Sequence, residues 1–146
     1  MSENTISSYF QEDHRRLDGL FNQFQTLKAC DYEEAKRYLK EFVTGLERHI
    51  GWEEKLLFPI LEAKVGFAGP VATMRFEHEE IKKKLQELHT KVHEENPESE
   101  TAEADLLYLL AQHNHKEEVV LYPLLDRLTS KVERERIFHQ ITQFPE

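Results

Sequence analysis

Six side chains in this sequence have the types and spacing to do metal chemistry. His49 and Glu53 stand four residues apart, and so do His113 and Glu117. On a helix that interval puts both side chains on one face, where they can reach one ion or two adjacent ions. His14 and His78 each sit in the middle of an apolar series at steps of three and four. One series runs Ile6, Phe10, His14, Leu17, Phe21; the other runs Val71, Met74, His78, Ile81, Leu85. The two His/Glu pairs lie in equivalent series: Phe42, Leu46, His49, Glu53, Leu57, Ile60 and Leu106, Leu110, His113, Glu117, Leu121, Leu124. Such series are the core-facing stripes of amphipathic helices. Burying an isolated carboxylate is very costly, so carboxylates on a core stripe are paired or bind metal.

Imidazole with carboxylate suits iron, zinc, copper or manganese rather than calcium or magnesium. Six donors are too many for one tetrahedral zinc. Two ions about 3.5–4 Å apart, each held by two histidines and both bridged by Glu53 and Glu117, use all six and leave at least one position open.

The elements that must position these groups are long helices. Breaks fall at Ala29–Asp31, Lys64–Pro70, Asn96–Ser99 and Thr129–Ser130, with helical periodicity between them. The reading is four long helices, about 5–29, 32–63, 70–94 and 98–128, and a short fifth over 131–143. Asp31 with Glu34 and Ser130 with Glu133 have the spacing of capping boxes. Pro70 and Pro97 suit first turns, while Pro59 and Pro123 should kink or terminate their helices. His14 and His49 lie 17 and 18 residues from the turn at residue 31, and His78 and His113 lie 18 and 17 from residue 96. At about 1.5 Å rise per residue, that register brings the groups to one level of a bundle. The sequence also repeats itself at a shift of 64 residues, so that Asp13-His14 matches Glu77-His78 and His49 to Pro59 matches His113 to Pro123. Two copies argue for two helical hairpins related by a pseudo-twofold axis. The fold class is therefore all-α, an up-down-up-down four-helix bundle with a short C-terminal fifth helix.

Composition agrees. The chain has 146 residues, a length that predicts a single domain over 1–146. Its single cysteine, Cys30, excludes an internal disulfide, and its formal charge of -9 leaves no basic face for nucleic acid. No apolar run is long enough to cross a membrane. The first residues lack a basic segment followed by an apolar one, so no signal peptide and a cytoplasmic location are expected. Ferritin-like di-iron bundles use Glu-x-x-His, and no histidine here has a glutamate three residues before it.

The pattern Asp13-His14-x-x-Leu17, His49-x-x-x-Glu53 with Leu57-Phe58-Pro59, Glu77-His78-x-x-Ile81, and His113-x-x-x-Glu117 with Leu121-Tyr122-Pro123 resembles the hemerythrin-like (HHE cation-binding) family over about residues 5 to 128. The resemblance implies a non-haem centre of two iron ions. It makes His14, His49, His78 and His113 terminal ligands and Glu53 and Glu117 bridges. Glu117 is preferred over Glu118 because the repeat matches it to Glu53. The oxygen-carrying members have a further histidine on the third helix, where this sequence has only Met74 and Lys82. The six-ligand set is more similar to bacterial members linked to nitric oxide stress and iron–sulfur repair. The expected small ligand is O2, NO or peroxide, with an electron donor left unidentified. The functions implied are diatomic-ligand binding in oxygen, nitrosative or iron stress, redox turnover at the same centre, or iron donation and sensing.

Other residues have plainer readings. His89 and His93 have metal spacing but lie about three turns from His78, which suits a surface pair. His115 points away from the stripe, and Cys30 reads as a surface thiol. Asp13 and Glu77 fall nearer the edge of their stripes, as candidates to hydrogen-bond a ligand. Phe10 and Met74 are core or a dry wall around the ions. Gly45, one turn before His49, leaves room for either a channel or close helix packing.

Overall fold

The computed structural model describes residues 5–66, 69–95 and 98–144. Helix α1 spans Ile6–Leu27 and α2 spans Tyr32–Trp52. One wide π-helical turn, Glu53–Leu57, joins α2 to α3, Phe58–Val65, within one continuous rod. Helix α4 spans Pro70–His93. The fourth rod repeats the second: α5, Glu100–Lys116, a π turn at Glu117–Leu121, then α6, Tyr122–Leu128. Helix α7, Lys131–Gln143, completes the described chain. Helices α1 and α2 pack against each other, as do α4 and α5, and α6 returns against α1, closing an up-down-up-down bundle.

Caps begin the helices where polar residues can hold the free backbone N–H groups. Ser130 and Glu133 form the full reciprocal box on α7, and Thr5 with Ser8 forms one on α1. Asp31 supplies only half of a box: it accepts from the Glu34 N–H at 3.2 Å, while Glu34 turns its carboxylate to Arg37. Pro70 opens α4 behind Gly69, whose φ of 91° is backbone that a side chain would strain. Pro97 lies outside the described residues.

Neither Pro59 nor Pro123 ends its rod. Each follows a π turn in which the N–H of Phe58 or Tyr122 reaches five residues back, to the carbonyl of Glu53 or Glu117. The turn absorbs one extra residue ahead of a ring that could not have continued the ordinary hydrogen-bond ladder. It also shifts the stripe by one residue. Phe58 and Leu61, with Tyr122 and Leu125, are fully buried, whereas Ile60 and Leu124 are only partly covered.

The core has two apolar clusters. One, around Phe21, Phe24, Phe42, Leu85 and Leu106, fills the half of the bundle near the 28–31 turn. The other, around Phe10, Phe58, Leu61, Leu121 and Tyr122, fills the opposite half, which α7 covers with Ile137 and Ile141. Asp126 pins that end by accepting from the N–H groups of Ile6 at 2.8 Å and Ser7 at 3.1 Å. Between the clusters lies a buried polar layer. Gly45 opens no channel: a Cβ there would meet Leu17 Cδ2 at 2.7 Å and Arg16 Nη2 at 2.9 Å, so the missing side chain lets α1 close on α2.

Candidate metal centre

The polar layer contains all six residues singled out by spacing. His14, His49, His78 and His113 expose 4% of their surface or less, and Glu53 and Glu117 none. They form two groups of four. His14, His49, Glu53 and Glu117 each offer a donor atom within 4.8 Å of the others, and so do Glu53, His78, His113 and Glu117. The two carboxylates belong to both groups and divide their oxygens between them. Glu53 turns Oε2 toward His49 Nε2 at 3.4 Å and Oε1 toward His78 Nε2 at 3.0 Å. Glu117 turns Oε1 toward His14 Nε2 at 3.2 Å and Oε2 toward His113 Nε2 at 2.9 Å.

Each histidine presents Nε2 inward because a carboxylate holds Nδ1. Asp13 takes Nδ1 of His49 at 2.8 Å, Glu54 that of His78 at 2.9 Å, Glu77 that of His113 at 2.8 Å, and Glu118 that of His14 at 2.7 Å. Every one of these acids is the chain neighbour of a candidate ligand on an adjacent rod. The four links pass from the first rod to the second, third and fourth and back to the first. A carboxylate on the far nitrogen fixes the ring and raises the basicity of the inward one. Three of the four acids are themselves steadied by a base: Asp13 by Arg16, Glu54 by Lys82, and Glu77 by Lys116. A surface cleft of about 520 Å³ that includes His14, Asp18, Leu110 and Glu118 in its lining reaches the outer edge of the fourth link.

The electrostatics follow from packing acid against imidazole out of water. Burial disfavours the His49 imidazolium, but Glu53 and Asp13 outweigh it and lift His49 to about 10. Burial likewise opposes His78, and Glu117 and Glu53 lift it to about 10. Burial would raise Glu117, yet His113 and its other neighbours hold it well below the usual carboxylate range. Asp13 and Glu54 are lowered against burial in the same way by His49 and His78, and Glu77 by Lys116 and then His113. Without a cation between them, the carboxylates are neutralised by protons on the rings; a metal ion would displace those protons.

The residues fit a metal better than they fit one another. His113 Nε2 and Glu117 Oε2 are buried and, although 2.9 Å apart, lack the alignment of a hydrogen bond. Burial opposes a charge on His113, but Glu117 raises it; once a cation takes the place of that ring proton, Nδ1 still gives its hydrogen to Glu77 and the Nε2 lone pair converges with Glu117 Oε2 on one point.

One participant is absent from the spacing argument. Tyr122 is fully buried, and its phenol oxygen lies 2.5 Å from Glu53 Oε2 and 2.9 Å from Glu117 Oε1. It lies 3.3 Å from Nε2 of both His14 and His49. Its match in the repeat, Phe58, carries no hydroxyl and stacks on His78 with ring centres 5.3 Å apart. The mismatch of Tyr and Phe at matched positions was the available sequence signal. Glu54 and Glu118, which match one another in the repeat, hold histidines as Asp13 and Glu77 do, and ligand spacing does not single them out. His89, His93, His115, His139 and Cys30 are exposed and stand apart from the layer. No helix among the described residues is long and apolar enough to cross a membrane.

Comparison with known proteins agrees with the layer. The hemerythrin HHE cation binding domain matches residues 5–125. An uncharacterized hemerythrin-like protein of Schizosaccharomyces pombe is 30% identical over 132 residues, which are 88% of this chain and 63% of the relative. The chain thus spans under two thirds of that relative's length. No solved structure matches the chain. With a fold, a His/Glu layer and a match that all coincide, the chain belongs to the hemerythrin HHE cation-binding family.

Proposed function

We propose that this chain is a non-haem di-iron protein that binds O2 or NO in a response to oxygen, nitrosative or iron stress. His14 and His49 would hold one ion and His78 and His113 the other, with Glu53 and Glu117 shared. The observation that carries this reading is the division of each shared carboxylate, one oxygen to each group. A single-ion site has no use for that arrangement, whereas a pair of cations is drawn together by it.

Held by these residues, a pair of iron ions would supply the redox chemistry for binding a small ligand. The chain's own residues set the conditions for it. The four outer carboxylates fix the imidazoles, so little rearrangement accompanies a change of ion charge. The two buried glutamates offset positive charge that would otherwise be costly in an apolar interior. Phe10, edge-on to His49 at 5.3 Å, and Phe58 on His78 exclude water from the apolar side of the layer.

The test is anaerobic purification, metal analysis, and optical spectra before and after exposure to air and to NO. Two irons per chain with ligand-dependent visible absorption are expected. One zinc per chain, or two irons whose spectrum ignores both gases, would overturn the reading. Steady-state assays with peroxide and NO then distinguish reversible binding from turnover.

A further inference from the structure

The two groups of candidate ligands are built from the same donor types. Repeat partners supply the same donors to each: two histidines from one hairpin, that hairpin's glutamate, and the glutamate of the other. At the next repeat position one group meets the Tyr122 phenol and the other meets the Phe58 ring.

The phenol oxygen is close to all four donors of the first group and to the oxygens of Glu53 and Glu117 that face that group, Oε2 and Oε1. A neutral phenol has one hydrogen to give. Both carboxylate oxygens are acceptors, so one of these close approaches gains no proton from Tyr122. The distances instead match the edges of a coordination polyhedron. Donors at about 2.1 Å from a common ion and at right angles to one another are separated by about 3 Å. The observed 2.5 to 3.3 Å brackets that edge for all four neighbours of the oxygen. The phenol oxygen of Tyr122 is thus placed beside all four donors of the first group at once.

We propose that Tyr122 is a fifth donor to the first metal position, leaving the second position, walled by Phe58, to take the exogenous ligand. The inference rests on the di-iron reading and assigns unequal roles within it. On loading, the cation replaces the phenol hydrogen, which leaves as a proton to solvent. The anionic oxygen then favours the ferric state of the first ion. At the second position the repeat partner is Phe58, which stacks on His78 and donates nothing, so it supplies no fifth donor there.

The experiment uses the full chain loaded with ferric iron. Metal analysis first establishes two irons per chain; failure at this step sinks the di-iron reading and this inference with it. Given two irons, visible resonance Raman is expected to show enhanced tyrosine ring modes that shift when the protein is grown on ring-deuterated tyrosine. Two irons without those modes overturn the inference alone, whether or not any variant folds. Tyr122→Phe is expected to keep two irons and lose the modes; their persistence would also overturn it. Azide serves as the probe for the second position. Phe58→Tyr, which adds a phenol there, is expected to weaken azide binding at least tenfold. Unchanged azide affinity in a folded, fully loaded Phe58→Tyr protein would overturn the assignment of the second position.

Discussion

Glu118 accepts a hydrogen bond from Nδ1 of His14 at 2.7 Å, between residues 104 positions apart in the chain. This bond closes the ring of carboxylate–imidazole links around the bundle. It also separates the roles of two adjacent acids: Glu117 faces into the layer, and Glu118 orients a histidine from outside it.

Those roles predict different losses. Glu117→Ala and His49→Ala should each lower bound iron well below two per chain. Glu118→Ala should retain two irons at saturation but weaken metal affinity by about 10- to 100-fold, the usual cost of losing a carboxylate behind a histidine ligand. Metal titration monitored by absorbance measures both. Full occupancy in Glu117→Ala and His49→Ala would remove them from the ligand set.

The metal-free protein should have a stability maximum below neutrality. Folding raises His49 and His78 from about 6.5 to about 10, so their stabilisation is complete below about pH 6.5 and is lost as pH rises through about 10. Asp13, Glu54 and Glu77 are lowered by folding, so their stabilisation is present above about pH 4.5 and is lost as pH falls through their depressed values. Thermal melts of chelator-treated protein should therefore show a higher Tm at pH 6 than at pH 9. Metal affinity should run the other way and increase with pH, because protons and metal compete for the same nitrogens.

Gly45→Ala should destabilise the fold by about 1–3 kcal/mol through overpacking, since its Cβ would arrive 2.7 Å from Leu17 Cδ2. Denaturant melts measure this. A neutral result would mean that α1 can withdraw from α2 without cost.

Phe21→Ala tests the apolar half remote from the metal layer. Phe21 is 1% exposed and packs edge-on against Phe24 and Phe42. Its truncation should cost about 3–5 kcal/mol while leaving two irons per chain in the folded fraction. Denaturant melts paired with metal analysis of the folded fraction check this.

Much of this arrangement is written in local pattern. Periodicity places four histidines and two glutamates on core stripes, and nearly equal distances from the turns bring them to one height. The pattern fails where the helix changes its own period. A π turn leaves no conspicuous residue behind it, only Pro59 or Pro123 afterwards, and its extra residue moves burial from Ile60 to Leu61 and from Leu124 to Leu125. The same shift buries Tyr122, which ordinary helical spacing does not align with Glu117. Glu54 and Glu118 escape notice for a related reason. They lie off the stripe of their own helix and act only across the gap to the next one, so nothing within a single helix reveals them.

The exchange of glutamates between hairpins has a consequence for how the protein is made. His14, His49 and Glu53 come from the first hairpin, but their group lacks its fourth donor until Glu117 arrives from the second. The second hairpin is similarly short of Glu53. Neither half can finish a nest of its own, so a growing polypeptide would be unable to trap the proposed pair of ions until its final long rod has been synthesised and has swung back onto the first.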